Sequence, residues 1–68
     1  MMNSDWIKVF TSANAMKAEM VKQVLIENNI EAVILNKQGY PYNIGEVEVY
    51  VQPARVEEAK EVLDNSDI

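Results

Sequence analysis

Between Gly45 and Leu63 the chain changes its hydrophobic period within a few residues. Val47, Val49 and Val51 alternate with Glu46, Glu48, Tyr50 and Gln52, the two-residue period of a half-buried strand. Beyond Pro53 the apolar positions become Val56, Ala59, Val62 and Leu63, the spacing of one helix face. This predicts a strand over Glu46 to Gln52 and a helix over Ala54 to Asn65. Pro53 suits the helix start, where its missing amide leaves no bond unmade.

The earlier chain reads as strand, helix, strand. Trp6 to Thr11 is rich in aromatic and β-branched residues, as strands are. Ser12 or Asn14 can cap the next helix by accepting from an orphan amide. That helix runs to about Asn28 and buries Ala18, Val21, Val24 and Leu25, with Met16 and Met20 at the margins. Asn29 fits the left-handed residue that follows a helix end. Glu31 to Asn36 holds the short apolar run AVIL, a second strand. Lys37 to Gly45, with both glycines and a proline, is a loop.

A strand–helix–strand unit prefers a right-handed crossover, which makes its strands parallel. The third strand can enter between them, antiparallel to both, giving the order one–three–two with both helices on one face. The expected fold is therefore α+β: a ferredoxin-like βαββα unit without its fourth strand, as one domain over residues 1–68. The missing strand would have paired with the first, so Trp6 to Thr11 is expected at an edge with unpaired backbone groups.

Two candidate contact regions follow. If Ile7 and Val9 face the helices, then Trp6, Lys8 and Phe10 share the open face with Tyr50, Glu48 and Glu46. A sheet face holding Trp, Phe and Tyr is apolar enough to meet a partner. In the opposite register Trp6 and Phe10 fill the core instead. The loop places Tyr40 and Tyr42 on either side of Pro41, two amphipathic rings suited to a partner or a flat ligand. The plainer alternative is a hairpin connection whose tyrosines fold back onto the sheet edge.

Composition narrows the chemistry. With 68 residues the chain has a thin core and marginal stability, a deficit that self-association can offset. There is no Cys and no His, which removes disulfides and the usual zinc, haem and iron–sulfur ligands. No cofactor is expected. The net charge of −5 argues against nucleic acid, because phosphates demand a basic footprint. Its six basic residues, Lys8, Lys17, Lys22, Lys37, Arg55 and Lys60, are dispersed. No apolar stretch reaches membrane-span length and the first residues do not read as a signal peptide, so a cytoplasmic location is expected.

Glu46 and Glu48 have the spacing of two carboxylates sharing a proton or a metal, but alternating Glu is also the ordinary solvated face of a sheet. The solvated reading is preferred, with Lys8 as a cross-strand partner. Glu57, Glu58 and Glu61 sit early in the last helix, where negative charge suits the macrodipole. No Ser–His or Cys–His pair, glycine-rich phosphate loop or other catalytic constellation is present. An enzyme is not expected.

The runs WIKVFTSANAMKAEMVKQVLIENNIEAVI and VEVYVQPARVEEAKEVL, joined by a glycine-containing loop, span nearly the whole chain. Together they resemble a bacterial domain family of unknown function described as prokaryotic signal-transducing proteins, whose fold is PII-like. The resemblance rests on Ala18-Glu19-Met20-Val21, on Leu25 with Ile30, and on the Val49 to Pro53 junction leading to Ala59. Asn29 stands where that family often has Gly. The resemblance implies regulation. PII-like proteins bind nucleotide between subunits and signal through a long loop at the place of Lys37 to Gly45. That segment is much shorter here, and none of their phosphate-contacting residues is matched.

The resulting expectation is a non-catalytic regulatory module that self-associates as a homo-oligomer and binds a protein or a small effector. The interaction residues named for it are Trp6, Phe10, Tyr40, Tyr42, Tyr50, Lys37 and Arg55. Two alternatives stand beside it: a small-anion or nucleotide sensor at a subunit junction near Lys37 and Arg55, and a purely structural dimer.

Overall fold

The computed structural model describes residues 5–39 and 45–66. Its elements run β1 (Ile7–Ser12), α1 (Ala15–Glu27), β2 (Ala32–Asn36), β3 (Val47–Val51), a 3-10 turn (Pro53–Arg55) and α2 (Val56–Asp64). The sheet has the order β1-β3-β2, and β3 is antiparallel to both neighbours. This is the expected βαββα arrangement, with β1 and β2 as its two edges.

Local signals place the first helix. The Asn14 side-chain oxygen accepts from the amides of Met16 and Lys17 at 3.0 and 3.2 Å. Ser12 supports the cap from one step back, its hydroxyl accepting from the Asn14 amide at 3.0 Å. Of the two candidate capping residues Asn14 is therefore the cap, and Ser12 holds its backbone. At the other end Asn29 has φ 65°, the left-handed conformation that Asn tolerates better than most side chains. It lets the Ile30 amide return to the Leu25 carbonyl at 2.9 Å and aims the chain into β2.

Ala18, Val21 and Leu25 of α1 and Ala59 of α2 pack onto Val47, Val49 and Val51 of β3, with Ile30 and Ala32 closing the core. All three β3 valines are buried, as the two-residue alternation predicts. Val24 is half-buried rather than buried, while Met16 and Met20 are exposed.

The principal departure lies in β1. Ile7 pairs with Val51 and Lys8 with Tyr50, but the next pair is Phe10 with Val49, so Val9 is an extra residue. This bulge shifts the alternation by one. Phe10 thus joins the core side, where it and Val9 both pack against the buried cluster, and Thr11 takes the open-face position opposite Glu48. Of the two registers considered, Phe10 follows the one that turns it to the core, so its naming as an open-face interaction residue is corrected, while Lys8 keeps the open-face position of the other.

Candidate interaction site

The helix-free face is built from alternate positions of all three strands. β3 contributes Glu48 and Tyr50, with Glu46 just ahead of it, and β1 contributes Lys8 and Thr11. In β2, Val33 lies opposite Tyr50 and Leu35 opposite Glu48. Lys37 follows at the same parity, its amide donating to the Glu46 carbonyl at 3.0 Å. Leu35 is 47% exposed.

Glu48 organises this face. Although no helix covers it, the residue is 4% exposed, because its neighbours' side chains close over it. The Tyr50 hydroxyl donates to one carboxylate oxygen at 2.6 Å. The Lys37 ammonium lies 3.4 Å from that same oxygen, and Lys8 lies 3.4 Å from the other. The expectation that Glu48 is simply solvated is therefore corrected, while the Lys8 pairing holds. Alongside, the Thr11 hydroxyl donates to Glu46 at 3.1 Å.

These partners act on proton affinity. The hydrogen bond from Tyr50 is the leading reason that the Glu48 carboxyl sits below its ordinary range; burial opposes it, and Lys37 and Lys8 add to it. The same bond pushes the Tyr50 phenol upward, because ionising it would place an anion against Glu48. At neutral pH the pair is an ionised carboxylate and a neutral phenol. Lys8 and Lys37 balance Glu46 and Glu48, so the cluster carries no formal net charge. Among the described residues no group of three or more acidic side chains has metal-binding geometry.

Arg55 belongs to a different place. Its Nε donates to Glu58 at 2.7 Å, and its guanidinium also donates to the Asn29 carbonyl at 3.1 Å, tying the start of α2 to the turn after α1. The bond to Glu58 raises the Arg55 pKa and lowers that of Glu58. Asn29 precedes β2 and Lys37 follows it, so Lys37 and Arg55 are not brought together within one chain.

Trp6 is half-buried one residue ahead of β1. Tyr50 is half-buried on the open face, and Phe10 is turned to the core. Tyr40 and Tyr42 lie outside the described residues. The ends of their loop are nevertheless pinned. Gln38 donates its side-chain amide to the Ala13 carbonyl at 2.6 Å and to Gly45 at 3.4 Å. Gly45 has φ 128°, and a Cβ there would stand 2.7 Å from the Lys37 carbonyl oxygen, so glycine is required.

A family model described as "Putative prokaryotic signal transducing protein" matches residues 6–67. The chain belongs to that family. The match covers every strand and helix. No curated protein and no solved structure matches the chain. No helix among the described residues is long and apolar enough to cross a membrane. Thr11, Val33 and Leu35 are the site residues not singled out from sequence. Thr11 reaches this face only through the bulge, whereas the signal for Val33 and Leu35 is the parity of the AVIL run, which divides into Ala32 and Ile34 on one face and Val33 and Leu35 on the other.

Proposed function

We propose that this chain is a non-catalytic signalling module that acts by contact. It self-associates through its strands and offers the helix-free sheet face to a protein or a small effector. The observation that carries this reading is Glu48, nearly buried on a face that no helix covers. Lys8, Lys37 and Tyr50 hold it in place, and preorganised polar groups of this kind lower the ordering cost of binding. Leu35 and Val33 beside it supply the apolar area that such a contact needs. Membership of a family described by signal transduction agrees with a contact role.

Amide-resolved NMR tests this in two steps. A concentration series is expected to move resonances of the strands. Additions of ATP, ADP, AMP and inorganic phosphate are expected to leave the spectrum unmoved. Saturable shifts localised at Lys37 or Arg55 would replace the reading with a small-anion sensor. Concentration-dependent shifts confined to α1 and α2 would sink it.

A further inference from the structure

The two sheet edges are defended differently. β1 carries the Val9 bulge and Lys8, two devices by which edge strands resist pairing with another chain. β2 has neither: its sequence is AVILN, without charge, proline or bulge, and its register against β3 is unbroken from Ala32 to Asn36. Among the described residues nothing pairs with its outer side.

The backbone phase of that edge is readable. The Lys37 amide donates to β3, and antiparallel ladders alternate, so Val33, Leu35 and Lys37 direct their backbone groups inward. Ala32, Ile34 and Asn36 therefore direct theirs outward, free for a partner.

From this we infer that β2 pairs antiparallel with β2 of a second copy of this chain, about a two-fold axis at Ile34. That deepens the self-association proposed above and rests on it. Centred there, Ile34 exchanges two hydrogen bonds with its own counterpart, and Ala32 does so with Asn36 of the second copy. All outward groups of the strand are used. The intervening positions become the close, non-hydrogen-bonded pairs, where side chains interact most strongly. Val33 meets Leu35 of the second copy on the open face, twice by symmetry. One step further out, Glu31 meets Lys37 of the second copy, again twice. Glu31 is exposed and makes no ion pair among the described residues of the single chain. Opposite charges at the two ends of an otherwise uncharged strand suit this register. A slip of one residue would face inward-directed backbone groups against outward ones. The product is a continuous six-stranded sheet with all four helices on one side and the half-exposed Leu35 side chains at its centre.

Sedimentation equilibrium with amide hydrogen exchange tests the assignment on the intact chain. The expected result is a concentration-dependent dimer in which the amides of Ala32, Ile34 and Asn36 become protected as it forms. Glu31→Lys should weaken it by about tenfold, since two attractive contacts become repulsive. Lys37→Glu alone should weaken it at least as much, because it also takes a cation from Glu48 within the chain; a thermal melt of each variant alone checks that it remains folded before mixing. Mixing the two variants should restore association as a heterodimer, because every end contact is then between opposite charges. A dimer that protects β1 amides instead overturns this assignment and leaves self-association through strands intact. A dimer held by the helices overturns both. A chain that stays monomeric at millimolar concentration overturns the dimer and the self-association, leaving effector contact as the remaining role. Dissociation without the heterodimer rescue would show that the Glu31–Lys37 register is wrong.

Discussion

Glu48 shows how one residue can belong to the exposed side of a sheet and still be shielded from solvent. Its carboxylate holds its proton less tightly in the folded chain than in the unfolded one, chiefly through the Tyr50 hydroxyl. The stabilisation is therefore present above the ordinary carboxylate range and is lost as pH falls through the folded value. Tyr50 contributes in the opposite sense: its raised pKa favours the fold at neutral pH and ceases to do so as pH climbs through that value, above the ordinary tyrosine range. Glu48→Gln is expected to unfold at a lower temperature than wild type at pH 7, and the gap should narrow progressively as pH falls below the ordinary carboxylate range. Melting curves from pH 7 to pH 3 read this directly; a gap that stays constant would show that the carboxylate charge is not what stabilises the cluster. Arg55 is the contrasting case, a basic residue whose bonds to Glu58 and Asn29 account for it structurally.

At the scale of elements, boundaries followed local chemistry. Replacing Asn14 by Ala leaves the Met16 and Lys17 amides without their acceptor and should cost about 1 kcal/mol. Thermal denaturation should register this as a fall of roughly 4–8 °C. An unchanged midpoint would mean that Ser12 or water takes over the cap. The strand order and both helices were legible because the switch between periods two and 3.6 is sharp at Pro53 and because Asn29 marks the first helix end. The Val9 bulge was not. Its one trace is the adjacent apolar pair Val9-Phe10, and nothing local says which of the two is the extra residue. That depends on which side chain the core can accommodate opposite Val49. Glu48 was misread for a related reason: alternating Glu signifies solvent until Lys8 and Lys37 arrive from both flanking strands.

For the whole molecule the core is so small that single side chains matter. A 68-residue domain has a total stability of roughly 3–10 kcal/mol. Leu25 is fully buried between α1 and the sheet, and Leu25→Ala should remove about 3 kcal/mol. Chemical denaturation is expected to show most of the stability gone, or the chain unfolded at 37 °C. A loss under 1 kcal/mol would mean that the helices close over the gap. With so thin a core, added contacts between chains carry proportionate weight. The bulge at Val9 then acquires a meaning for the size of any assembly. A three-stranded sheet has two sides by which it could grow, and equally receptive sides would recruit copies without limit. Bending one of them makes growth one-sided, and a one-sided two-fold contact consumes its own site. For the β2 pairing proposed above, an extra residue in β1 is what would separate a particle that stops at two from a fibre.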